Sequence, residues 1–72
     1  MKDLRKDIGA RVKESRMAMF LTQSQVAQKL GMTQQQYSRF ENGVFELNYQ
    51  QLIFLCKLFE VSADYIFGLS KY

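Results

Sequence analysis

The sequence predicts an all-α protein, a compact bundle of five short helices around one core. Three observations carry that expectation. Apolar residues recur at three- and four-residue spacing through the chain, the period of a helix with one buried face. Three cap boxes share one form: Thr22 with Gln25, Thr33 with Gln36, and Asn48 with Gln51. In each, a side-chain oxygen takes an orphan backbone N–H while the glutamine reaches back to another. Finally, 72 residues with 47% hydrophobic content, one cysteine and no histidine leave no disulfide framework and no Cys/His zinc site. Such a chain buries only about 60% of its unfolded surface. It must rely on tight helix packing or on a partner. The length fits a single domain, residues 1–72, without room for a separate sensor domain.

The first helix is expected from about Asp3 to Met19, with Leu4, Ile8, Val12, Ser15 and Met19 as its buried stripe. Asp3 and Asp7 lie near the positive end of its dipole. The run 17–21 is too short and too flanked by charge to be a membrane span or a signal peptide. The second helix, Gln23–Leu30, turns Val26, Ala27 and Leu30 inward. Gly31 then stands where a helix commonly closes on a left-handed residue, a conformation glycine adopts at little cost.

The third helix begins at Gln34 and sends Tyr37, Phe40 and Glu41 to one side. Gln35, Ser38 and Arg39 fall on the other, with Gln34 at the exposed N-terminal end. A fourth helix starts after Asn48 and runs to about Phe59, with Leu52, Leu55, Cys56 and Phe59 as its core stripe. Ile53, Phe54 and Leu58 lie off that stripe, so this helix either forms the centre of the core or meets a partner. Cys56 reads as packing, because a thiol in apolar surroundings is inert. Ser62 caps a short fifth helix, Ala63–Phe67, ended by Gly68.

Residues 22–43 thus form two helices joined by a glycine turn, the spacing of a helix-turn-helix. The outer face of the second of these offers two amides, a hydroxyl and a guanidinium, and no acid. Those groups pair with base edges in a major groove; the bland alternative is a solvated face. Charge divides unevenly along the chain. Residues 1–39 hold eight basic and three acidic groups, Lys2 among them, and residues 40–72 hold two basic, including Lys71, and four acidic. The balance is therefore +5 against −2, with the motif in the positive half, as phosphate binding requires. Several of those cations could equally solvate the first helix. No cluster of groups offers a reaction site, so an enzyme is not expected.

The segments Ile8-Gly9-x-Arg11, Arg16, Leu21-Thr22-Gln23, Val26-Ala27, Leu30-Gly31, 37–43 and Val61-Ser62-x-Asp64-Tyr65 resemble the XRE-type helix-turn-helix family, which includes the lambdoid phage repressors and Cro proteins. The resemblance spans residues 8–69. It implies base reading by Gln34, Gln35, Ser38 and Arg39. It also implies phosphate contacts by Arg11, Lys13, Arg16, Thr22, Gln23, Thr33 and Asn42. By the same resemblance, Gln23 braces the first residue of the recognition helix, and Arg16 pairs with Glu41 beneath it.

Two departures from the family stand out. Phe20 replaces a usual glycine, at a steric cost if φ is positive. Residues 44–48 carry Val44, Phe45, Glu46 and Leu47 where relatives often have cations, so this loop is a poor phosphate clamp. Its apolar residues either pack under the fourth helix or meet a second subunit. Dimer contacts are expected from Val44, Phe45, Tyr65, Phe67 and Leu69. The implied function is a cytoplasmic regulator, bacterial or phage-encoded, that represses as a homodimer on a pseudo-palindromic double-stranded DNA operator. No cofactor, metal, membrane or small-molecule ligand is expected. The alternative is a protein-interaction module, such as an antitoxin or adaptor, on the same bundle.

Overall fold

The computed structural model describes residues 3–70, so Lys2 and Lys71 lie outside the described residues. Five helices follow in order: α1 (Leu4–Ala18), α2 (Gln23–Leu30), α3 (Gln34–Glu41), α4 (Tyr49–Phe59) and α5 (Ala63–Ile66). No strand forms among the described residues. Every helix is opened by a side-chain cap, from Asp3, Thr22, Thr33, Asn48 and Ser62 respectively. The three boxes close in both directions, Gln25, Gln36 and Gln51 each accepting the N–H of its cap residue.

The helices also end alike. Past the last turn stands a residue with positive φ whose N–H meets the carbonyl three residues back, and its successor reaches five back. At α1 the donors are Phe20 to the Met17 carbonyl (3.0 Å) and Leu21 to that of Arg16 (3.2 Å). At α2 they are Gly31 to Gln28 (3.1 Å) and Met32 to Ala27 (3.0 Å). The same pattern recurs at Gly43, Glu60 and Gly68. Phe20 takes φ 57° and Glu60 φ 56°, the two non-glycine residues in this conformation among those described. The positive φ foreseen at Phe20 is present.

All five helices feed one core: Ile8, Val12, Val26, Ala27, Tyr37, Phe40, Leu55, Phe59 and Ile66, joined by Leu47 from the loop. The α1 stripe needs correction at both ends, since Leu4 is 55% and Met19 39% exposed. Ile8, Val12 and Ser15 are buried as expected, and the buried face widens to Gly9 and Arg16, because α1 crosses α3 at Gly9. A Cβ on Gly9 would lie 2.4 Å from the Glu41 carbonyl oxygen and 2.6 Å from that of Phe40. Only a bare α-carbon lets the two backbones approach so closely. On α4, Leu55 and Phe59 are fully enclosed while Leu52 and Cys56 pack against the core from its margin. The fifth helix stops one residue short of the expected Phe67, which caps it with near-helical angles.

Candidate nucleic-acid interface

The α2–α3 corner is fixed from within by a buried carboxylate. Arg16 Nε donates to Glu41 Oε2 at 2.7 Å and Nη2 to Oε1 at 3.1 Å, a two-point pairing. Gln23 Nε2 adds a third donor to Glu41 Oε1 at 3.0 Å, and Arg16 Nη1 caps the Leu21 carbonyl at 2.8 Å. Glu41 therefore ties the last residue of α3 to α1 and to the start of α2. Burying a charge pair contributes little net stability, but losing one partner typically costs about 3–5 kcal/mol. Hydrogen bonding to Glu41 holds the Arg16 guanidinium above its ordinary pKa in spite of burial.

Tyr37 packs below this network, with its ring 5.9 Å from that of Phe40. Its hydroxyl is buried and makes no hydrogen bond. Burial, and after it the neighbouring Glu41 carboxylate, push the phenol far above its usual range, with Arg16 partly offsetting them.

With its inner face held, α3 turns the opposite face to water. Gln34, Gln35 and Arg39 are exposed and Ser38 is half-exposed. These four side chains together line one shallow, open hollow. Gln35, Ser38 and Arg39 share the outer face expected from the helical phase, and Gln34 at the N-terminal end joins them on one surface. Thr22, Thr33, Asn42 and Lys13 are also exposed. The two threonine oxygens accept from Gln25 and Gln36 N–H, which leaves each hydroxyl proton free to donate outward.

Three residues sit differently from the expectation. Arg16 is 8% exposed and each of its three guanidinium nitrogens holds an acceptor inside the protein, which leaves only the second N–H of Nη1 and of Nη2 for a phosphate. Arg11 lies on the far side of α1 from Gly9, its guanidinium against the Gly68 turn, where a glycine Cβ would be 2.9 Å from Nη2. Gln23 braces Glu41, the last residue of α3, rather than Gln34, the first. One neighbour was missed. Lys6 lies across the turn that ends α3, its Cγ 2.6 Å from where a Gly43 Cβ would stand.

The expected dimer residues divide among separate places. Phe45 and Phe67 line one apolar groove with Leu4, Tyr49 and Leu52, and it continues along Ile53, Cys56 and Ala63. Tyr65 lines a different hollow with Met19, Phe59 and Val61. Leu47 is buried, whereas Val44 and Leu69 stand exposed. Ile53, expected off the core stripe of α4, belongs to the groove, as does Tyr49, 84% exposed, which the sequence reading does not name. Their signal was the second apolar stripe Tyr49-Leu52-Ile53-Cys56 on α4, at helical spacing. Among the described residues, no helix is long and apolar enough to cross a membrane.

A family model described as helix-turn-helix matches residues 12–66. An uncharacterized HTH-type transcriptional regulator YobD of Bacillus subtilis (strain 168) is 35% identical over 60 residues, covering 83% of this chain and 54% of that protein. A second from the same organism, YqaE, is 38% identical over 55 residues, 76% of this chain and 47% of its own. An uncharacterized transcriptional regulator in the ATPase CF(0) region of Rhodospirillum rubrum is 32% identical over 61 residues, 85% of this chain and 56% of its own. The chain thus spans about half the length of these relatives. No solved structure gives a significant match. With α2 and α3 joined by the turn at Gly31 and the match extending over most of the bundle, the chain belongs to the XRE-type helix-turn-helix family, whose matched relatives are described as transcriptional regulators.

Proposed function

We propose that this domain reads a specific double-stranded DNA operator by laying α3 in the major groove, and that it acts as a homodimeric repressor in the cytoplasm. The observation that carries the proposal is the polar hollow formed by Gln34, Gln35, Ser38 and Arg39 on the outward side of α3. Amides pair in two-point fashion with adenine and guanidinium with guanine. Gln34 and Gln35 therefore read adenines and Arg39 a guanine, with Ser38 adaptable to either. Thr22, Thr33, Gln23, Asn42 and Lys13 position the duplex through its phosphates. The N-termini of α2 and α3 add backbone N–H groups that favour an anion. Two such units, with recognition helices roughly 34 Å apart, match a pseudo-palindrome. The apolar groove holding Phe45, Tyr49, Ile53 and Phe67 supports the pairing of two copies. Repression follows from occupying the site.

Selection of bound sequences from random duplexes, followed by titration of Gln34→Ala, tests this function. A symmetric site should emerge, and Gln34→Ala should weaken it by about 1–3 kcal/mol while leaving random DNA nearly unchanged. Equal losses on both would remove base reading from Gln34. Val44 at 68% and Tyr49 at 84% exposure also favour a second function, a protein-interaction module. Indifference to DNA at low salt, with a tight co-purifying protein, would establish that alternative.

A further inference from the structure

The turn that follows α3 is where this chain is short of positive charge. Residues 43–48 carry no base and one acid, Glu46. A duplex seated on α3 brings phosphates past that turn, beside Asn42, and meets nothing there to neutralise them. The structure supplies a cation from elsewhere in the chain. Gly43 has φ 79°, and a Cβ on it would lie 2.6 Å from Lys6 Cγ, 2.8 Å from Lys6 Cα and 3.0 Å from Lys6 N. The first turns of α1 are laid directly on the closing turn of α3, and glycine at 43 is what lets them fit. Lys6 itself is exposed, so its stem lies along the turn while its ammonium reaches water.

We propose that Lys6 is a phosphate-contacting residue, supplying from α1 the cation that the turn after α3 lacks. This rests on the DNA-docking pose proposed above. Three features make the position suitable. The C-terminus of α3 carries a partial negative charge that draws an ammonium towards it. Lys6 and Lys13 are seven residues apart, so they project within about 20° of one another on α1. They flank Gly9 and Arg16, the residues with which α1 faces α3. Lys6 is also fixed in place by backbone packing at its base, so little freedom is lost when a phosphate arrives. Arg11, on the far side of the same helix, lies with its guanidinium against the Gly68 turn, away from Gly43.

The test is a salt titration of binding to the selected site and to a random duplex, using wild type, Lys6→Met and Lys57→Met. Methionine keeps an apolar stem of similar length, so the packing on Gly43 survives and the charge is gone. Loss of one phosphate contact lowers the slope of log K against log salt by about 0.9. The Lys6→Met deficit should therefore be about 3.5-fold larger at about 50 mM than at about 200 mM salt, and equal on both duplexes. Lys57→Met, on α4, should keep the wild-type slope. Lys6→Arg should restore it, which separates lost charge from any loss of fold. A Lys6→Met slope equal to wild type overturns this inference alone. A wild-type chain that ignores duplexes at low salt overturns the docking pose and this inference with it.

Discussion

Phe20→Gly should make this protein more stable, although it deletes the largest side chain of the α1–α2 corner. Phe20 holds φ 57° to close α1 and is 93% exposed. A left-handed conformation costs an L-residue roughly 1–2 kcal/mol, which glycine does not incur. Against that relief, glycine loses about 0.4–1 kcal/mol more chain entropy on folding. The buried fraction of the phenyl ring, on the order of 15 Å², is worth about 0.4 kcal/mol. The net is a gain near 0.5 kcal/mol, equivalent to a melting point about 2–4 °C higher for a domain of this size. Phe20→Ala is the internal control, because it removes the ring and keeps the strain. Denaturant unfolding followed by circular dichroism reads all three chains. Phe20→Gly should lie above wild type and above Phe20→Ala by about 1 kcal/mol. If Phe20→Gly were the least stable of the three, the ring would have to make contacts that its exposure denies.

Two more substitutions probe the interior. Gly9→Ala forces a Cβ to within 2.4 Å of a backbone oxygen, and neither helix can yield without moving α3. Overpacking of that kind costs about 1–3 kcal/mol even after the better helix propensity of alanine is counted; a melting point unchanged within a degree or so would refute the close crossing. Tyr37→Phe removes a buried hydroxyl that has no hydrogen bond, so stability at neutral pH should rise by about 1 kcal/mol. It should also change the alkaline limb. In wild type the folded Tyr37 pKa is raised, so stability is complete below about 10 and falls as pH rises beyond it, because only the unfolded chain releases the proton. Phenylalanine abolishes that contribution, and unfolding curves at pH 8 and about pH 10.5 should show a smaller decline than wild type.

The beginnings of the helices were legible because a cap is a local event. Thr22 and Gln25, Thr33 and Gln36, and Asn48 and Gln51 find each other across three residues whatever the rest of the chain does. Helix ends were legible where glycine marked them and obscure at Glu60, which adopts the left-handed form without any compositional cue. Along α1, Ile8, Val12 and Ser15 follow from periodicity, but the ends of the stripe do not, because periodicity names a face and not the point of crossing. The approach at Gly9 set that point, and it took Arg16 inside while leaving Leu4 and Met19 at the edges.

The candidate interface divides along the same line. The outward residues of α3 follow from the phase of one helix, fixed by Tyr37, Phe40 and Glu41 on the inner side. The fate of the cations on α1 does not, since a basic residue looks alike in sequence whether it is buried, folded back or free. Arg16, Arg11 and Lys6 come from one helix and end in three environments: Glu41, the Gly68 turn and the Gly43 turn. Each destination is created by a segment at least 25 residues away in the chain. The glycines at 43 and 68 are the visible trace of that arrangement, because each clears space for a side chain arriving from α1. A glycine that ends a helix can thus do two things at once. It closes the turn, and it leaves room for a distant cation to lie over it; at Gly43 that second effect places positive charge where the loop beyond it has none.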